Sequence, residues 1–392
     1  MDVTAIQKEL VAQGLDGWLL YDLRGSNPIA RAVIGFDERQ IGTRRWFYFI
    51  PKDGEPAAIL HVIEPNALAG APGRKVLYRS WRELETTLKT LLAGRKRVAM
   101  EYSPGAAIPL VSRVDAGTIE MVRAAGPEVV SSADLVQIFE ARWTPEQKGL
   151  HDRAATGCTR AKDEAFALIK ERLATGLPVR ESEVQAFIAA RFEAFGLFAN
   201  HPCIVAVNDH ASDPHFETAE GPNDRQIKKG DVVLIDFWAK VAGDPRAVYY
   251  DATWMGFCGP QVPAKVREVW EVVKGGRDAA IAFVMESVAA DRTIHGFEVD
   301  DVSRGFIEAR GYGDAFLHRT GHSIGYEVHG NGVNIDNLET RDQRRIIPGV
   351  CFSIEPGVYL PEFGVRSEID MYVGEGTAEV TGDIQRELLL LA

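Results

Sequence analysis

Apolar residues recur along this chain with two periods, and the change of period marks out its elements. Ile6, Leu10 and Val11 share one face of a 3.6-residue repeat, which predicts a helix over Val3–Ala12. The short apolar runs at 15–21 and 46–50 read as buried strands, with Lys52-Asp53-Gly54-Glu55 as a hairpin turn. Strands alternating with helices over the first third predict an α/β domain around a central sheet. No glycine fingerprint of a nucleotide-binding turn occurs in it.

The pattern changes at Thr144-Pro145-Glu146-Gln147. Thr at the N-cap, Pro at the first helical position and Gln at N3 form a capping box. A helix of about thirty residues should follow, stopped by Gly176 and Pro178. A second is predicted over 181–195, with Val184, Phe187, Ile188 and Phe195 on one face and Gly196 as its end. A third follows Pro263, where Val266, Val269, Trp270 and Val273 keep helical spacing. Residues 231–239 and 247–257 read as neighbouring strands joined at Gly243-Asp244-Pro245. Residues 350–359 and 364–373 repeat that arrangement, so the second part reads as two helix-then-hairpin blocks.

Length and charge narrow the picture. A chain of 392 residues, 46% hydrophobic and 26% charged, is globular in composition and long enough for two domains. The formal charge of 44 − 56 = −12 argues against nucleic acid and anionic membranes as partners. Cys158, Cys203, Cys258 and Cys351 are widely spaced with no CxxC pair, which argues against a disulfide scaffold or zinc knuckle. The first residues lack a basic and apolar leader pattern, and no apolar run approaches the ~20 residues needed to span a bilayer. A cytoplasmic location is the expectation.

The chemistry concentrates in the second part. Seven of nine histidines (His201, His210, His215, His295, His318, His322, His329) lie between 201 and 329. Four carboxylates stand in apolar, strand-like surroundings: Asp236 after Val232-Val233-Leu234-Ile235, Asp251 after Val248-Tyr249-Tyr250, Glu355 after Cys351-Phe352-Ser353-Ile354, and Glu368 before Ile369. A buried carboxylate needs a cation or a metal, and only Arg366 lies within two positions of any of the four. A pair of hard divalent cations, held by these carboxylates and an imidazole, is the economical solution. Within His318-Arg319-Thr320-Gly321-His322-Ser323-Ile324-Gly325, the two glycines argue against a regular helix and for close backbone approach.

These residues carry a resemblance. Gly321-His322-Ser323-Ile324-Gly325 with His329, then Ile354-Glu355-Pro356-Gly357, then Val365-Arg366-Ser367-Glu368, resemble the pita-bread metallopeptidases (prolidase, Xaa-Pro aminopeptidase, methionine aminopeptidase, and the metal-free relative creatinase). Asp236, Asp251 and the Asp-Pro-His of 213–215 match the family's remaining positions in order. The resemblance implies a creatinase-like α/β N-terminal domain over 1–143 and an α+β pita-bread catalytic domain over 144–392. It implies that Asp236 chelates one metal, Asp251 and Glu368 bridge two, and His322 and Glu355 complete the second. His215 and His329 would contact the scissile carbonyl and tetrahedral intermediate, with Glu355 also shuttling a proton. The implied activity is hydrolysis of Xaa-Pro bonds, as dipeptidase or aminopeptidase, by a metal-bridged hydroxide. Two divalent ions (Mn, Co, Fe or Zn, with Mn favoured), a small peptide substrate with proline second, and a homodimer follow from the same resemblance.

Several positions depart from the family pattern. Fourteen residues separate Asp236 from Asp251 where ten are usual, Ala252-Thr253-Trp254 replaces a commoner Ile-Thr-Arg, Gly330 stands where an acid is common, and Ser367 replaces an Ile. No ligand is lost, so the departures bear on the shape of the pocket. His318, Arg319, Arg344 and Arg366 are the candidates for meeting a substrate carboxylate, with His318 and Arg366 the expected pair. Two other readings fit the same residues: a hydrolase or lyase acting on a small non-peptide substrate, and a non-catalytic binding module of the same fold.

Overall fold

Thr144 and Gln147 cap each other at the point where one structural unit gives way to the next. The Gln147 N–H donates to Thr144 Oγ1 at 3.3 Å and Gln147 Oε1 accepts from the Thr144 N–H at 2.9 Å. In the computed structural model, which describes residues 1–36 and 42–391, the chain divides into units Met1–Ala141 and Arg142–Ala392.

The first unit is built on a six-stranded mixed sheet. Gly17–Asp22 lies inside it, antiparallel to Trp46–Pro51 and parallel to Arg97–Met100. The predicted hairpin turn joins Trp46–Pro51 to Ala57–His61. Trp18, Leu20, Trp46 and Tyr48 pack on one face, and Leu19, Tyr21, Phe47 and Phe49 on the other. Burial of both faces explains why these strands are apolar runs without alternation. The helix Val3–Ala12 has the predicted limits, with Ile6 and Leu10 buried.

In the second unit the capping box opens a 31-residue helix, Pro145–Thr175, that ends at Gly176 in the left-handed region (φ 73°). Glu181–Ala194 follows and buries Val184, Ile188 and Phe192, with Phe187 and Phe195 only partly covered. Ala264–Ala289 is the third predicted helix. A fourth, Gly296–Glu308, was not anticipated; its buried positions include Asp300 and Ser303, which blur the apolar period.

Two predicted hairpins differ from expectation in an instructive way. Val232–Val241 and Tyr250–Phe257 pair antiparallel, so the second strand begins three residues later than expected. Residues 350–359 and 364–373 do not form one continuous hairpin. Cys351–Ile354 pairs with Ile369–Gly374 in a four-stranded sheet, whereas Gly357–Tyr359 pairs with Gly364–Arg366 in a separate two-stranded one. The breaks fall at Glu355-Pro356 and Ser367-Glu368. Proline has no N–H to offer a ladder, so the first strand ends there. Both carboxylates therefore leave the sheets at the crossover, where side chains are free to converge.

Candidate metal centre

The two aspartates come from facing strands. Asp236 pairs in register with Thr253, and Asp251 with Trp238. Side chains alternate along a strand, so Asp236 and Trp238 share a face, as do Asp251 and Thr253. Along Val232–Val241 burial is relieved at Asp236, Trp238 and Lys240, the face that opens on the cleft.

His322 is placed by backbone contacts. A Cβ on Gly321 would stand 1.9 Å from Ser353 O, so only glycine permits this approach. The Gly321 N–H donates to Ile335 O at 3.1 Å, the His322 N–H to Ser353 Oγ at 2.9 Å, and the Ser353 N–H to His322 O at 2.8 Å. The segment is extended here, entering the strand Ser323–Ile324, as the glycines suggested. Gly325 does not play the same part: a Cβ there meets only ordinary van der Waals neighbours.

Donor atoms of Asp251, His322 and Glu368 lie within 4.8 Å of one another, and all three residues are buried. Glu355 flanks them: its Oε1 is 3.3 Å from His322 Nε2 and accepts from Ser353 Oγ at 3.1 Å. Asp236 is turned to Arg366, whose Nη2 donates to Oδ2 at 2.5 Å. Arg366 is therefore the neutralising cation that sequence proximity suggested, although it answers Asp236, 130 positions away, and is only 4% exposed.

Burial pushes all four carboxyls above their ordinary range. Repulsion among them adds to the rise at Asp251 and Glu368, and Glu355 reaches about 7. Burial, then the neighbouring His329, holds His322 well below its usual value, so its imidazole is neutral, the form that ligates metals. Asp251 Oδ1 is buried without a hydrogen-bond partner among the described residues. An orphan carboxylate oxygen beside a neutral imidazole and three further carboxylates fits a hard divalent cation.

The cleft around this group has a volume of about 480 Å³. His215 and His329 both line it; the His215 N–H donates to Asp213 Oδ1 at 3.0 Å, and the His329 ring lies 4.3 Å from that of His322, edge-on. Though solvent reaches it, His329 is walled by the cleft, which holds it down to about 4. His318 also faces the cleft, with Nδ1 2.7 Å from Arg319 O and Nε2 2.6 Å from Tyr359 OH. Arg344, a sequence candidate for carboxylate binding, is instead 2% exposed and tied to Asp342 and Asn331 O, away from the cleft.

Three contributors were missed in the sequence. Asp370 Oδ2 accepts the Asp251 N–H at 2.8 Å, and Thr253 Oγ1 donates to Glu368 Oε2 at 2.8 Å. Trp238 forms an apolar wall with Ile204, Leu317 and Val328. Two-residue spacing from Glu368 and Asp251 was a legible signal for Asp370 and Thr253. Nothing in the local pattern marked Trp238.

The cleft in the second unit, lined by carboxylates and holding the buried Asp251, His322 and Glu368, has the donor set of a metal centre. Residues 149–375 match metallopeptidase family M24, and the chain belongs to that family, whose members use divalent metals. It is 30% identical over 215 residues to an uncharacterized peptidase of Staphylococcus saprophyticus, covering 52% of this chain and 54% of that one. Identity is also 30% over 211 residues to an Xaa-Pro dipeptidase of Lactobacillus delbrueckii subsp. lactis, with coverages of 53% and 51%. The chain thus spans about half the length of these curated relatives. Among solved structures, the dipeptidase PepE of Mycobacterium ulcerans matches with a TM-score of 0.71 at 23% identity, covering 99% of this chain and 96% of that one. The likeness shows the fold: an N-terminal α/β unit followed by an α+β pita-bread unit. Among the described residues no helix is long and apolar enough to cross a membrane.

Proposed function

We propose that this protein is a dinuclear metal-dependent exopeptidase that hydrolyses Xaa-Pro bonds, with 1–143 as its N-terminal domain and 144–392 as its catalytic domain. The observation that carries the reading is the buried trio Asp251, His322 and Glu368, whose donor atoms lie within 4.8 Å and which leaves Asp251 Oδ1 unpartnered. In this reading Asp236, Asp251, His322, Glu355 and Glu368 hold two divalent ions, Mn favoured over Co, Fe or Zn. When bound, such ions acidify water and polarise the scissile carbonyl. His329, neutral at pH 7, offers a ring N–H to the carbonyl oxygen as it gains charge, and His215 orients the same group from the exposed segment. Glu355 takes the proton of the attacking water and returns it to the leaving proline nitrogen. The cleft's apolar wall of Trp238, Ile204 and Val328 accommodates the apolar parts of a small peptide. A homodimer is the proposed assembly.

The test is hydrolysis of Xaa-Pro dipeptides and tripeptides by chelator-stripped protein before and after adding Mn, Co, Fe or Zn. Metal-dependent turnover, with about two bound equivalents, is the expected result. Absence of turnover with every metal and peptide overturns the peptidase reading. A metal content well under one equivalent would indicate a non-catalytic module instead.

A further inference from the structure

An exopeptidase that takes dipeptides must meet the free carboxylate of its substrate with a cation that the fold leaves open. Among the described residues the cleft presents two guanidinium groups, Arg319 and Arg366, and the imidazoles of His215, His318, His322 and His329. Arg366 is committed: Nη2 donates to Asp236, Nε to Thr253 Oγ1 at 3.1 Å, and Nη1 to Pro214 O and Tyr359 OH, both at 3.3 Å. His318 is committed too. The Arg319 carbonyl only accepts, so Nδ1 carries the proton, and Nε2 accepts from the Tyr359 hydroxyl. That imidazole is neutral, held down to about 3 by burial and then by Arg366. His322 sits in the metal-binding trio, and His215 and His329 face the reacting carbonyl in the reading above.

Arg319 differs from all of these. Its main chain is pinned at both ends: its N–H donates to Glu339 Oε1 at 3.1 Å, and its carbonyl accepts from His318. Among the described residues, no hydrogen bond closes on its guanidinium. The nearest carboxylate contact, Nη1 to Glu339 Oε2, is 3.9 Å, well beyond the ~2.8 Å of a charge-assisted bidentate pair. The side chain is 23% exposed within the cleft, and its charge reaches His322, His329 and Glu355. A fixed backbone carrying an unclosed planar fork beside the reacting groups is a receptor for a second carboxylate.

We propose that Arg319 is the specificity-determining residue that receives the free carboxylate of a dipeptide, so that dipeptides are preferred over longer or C-terminally blocked peptides. This rests on the peptidase reading of the same site. Arg319, one of the four sequence candidates, thereby takes the part expected of His318 and Arg366. Glu339, half-exposed, is the resting counter-ion that the substrate carboxylate displaces.

Steady-state kinetics of the metal-loaded full chain on an Xaa-Pro dipeptide, its C-terminal amide and an Xaa-Pro-Yaa tripeptide test this. The wild type should favour the free acid over the amide by about 10- to 100-fold in kcat/KM, mostly through KM, as a lost charged hydrogen bond implies. Arg319→Met should collapse that ratio toward one, and Arg319→Lys should retain part of it. A merely structural role would lower both substrates together and leave the ratio intact. Should Arg319→Met lose its metals, Arg319→Lys and Glu339→Gln decide: the first must lower the ratio and the second raise it. A wild-type ratio near one, or a ratio unmoved by these variants, overturns the inference and leaves the peptidase reading standing. No turnover of any of the three substrates overturns both.

Discussion

The Thr253 hydroxyl donates to Glu368 Oε2 at 2.8 Å, fixing one oxygen of a carboxylate that is only 2% exposed. The Thr253 hydroxyl oxygen itself accepts from Arg366 Nε at 3.1 Å, so one hydroxyl links a metal-binding candidate to the arginine that neutralises Asp236. Thr253→Val keeps the shape and removes both bonds. We expect it to destabilise the fold by about 1–3 kcal/mol, since two buried polar groups lose a partner. Metal affinity should fall about 10- to 100-fold, because the outer partner no longer orients the carboxylate. Urea unfolding and a metal titration measure the two effects, and Thr253→Ser should restore both. Unchanged metal affinity in the valine variant would remove Thr253 from this role.

Asp251 and Glu368 repel each other across a site from which water is largely excluded. Asp251→Asn and Glu368→Gln each delete one of these buried charges at nearly constant volume. Turnover should be abolished and bound metal should drop, while the fold survives. In the presence of chelator, the midpoint of thermal unfolding should equal or exceed that of the wild type, because a like-charge contact has gone. Wild-type activity in either variant refutes the bridging assignment.

His151 makes stability depend on pH. It is fully buried, with Nδ1 2.7 Å from Tyr249 O and Nε2 2.7 Å from Thr381 Oγ1. The carbonyl fixes the proton on Nδ1, so Nε2 accepts the Thr381 hydroxyl. Burial holds His151 down to about 4, against 6.5 ordinarily. Between these values the unfolded chain binds a proton that the folded chain does not. Its contribution is therefore complete above pH 6.5 and falls as pH drops toward 4, by about 1.4 kcal/mol per pH unit. His151→Gln should flatten the stability-versus-pH curve by that slope in this window, measured by urea unfolding from pH 7 to 4. Taking the difference from wild type isolates His151 from the buried carboxyls, whose raised values act with the opposite sign.

Much of this was legible in local sequence because the physics is local. The Thr144–Gln147 box and the Gly176 stop act over three or four residues, so the limits of Pro145–Thr175 could be read directly. The donor types were legible for an energetic reason: an aspartate after Val232-Val233-Leu234-Ile235 is too costly to bury without a cation, whatever the fold. The breaks at Glu355-Pro356 and Ser367-Glu368 were less so, because period-2 patterning marks a strand and does not tell which sheet it joins.

The remaining features arise from contacts between distant residues. Arg366 answers Asp236 across 130 positions, His151 meets Tyr249 and Thr381 across 98 and 230, and Asp370 receives the Asp251 N–H across 119. His318, Arg319, Arg344 and Arg366 were the sequence candidates for a substrate carboxylate, with His318 and Arg366 the expected pair. Packing buried Arg344 on Asp342, closed Arg366 on Asp236 and His318 on Tyr359, and left the Arg319 fork open. Residue type sets which charges exist, but desolvation and pairing set which of them remain available, and both are properties of the folded chain alone.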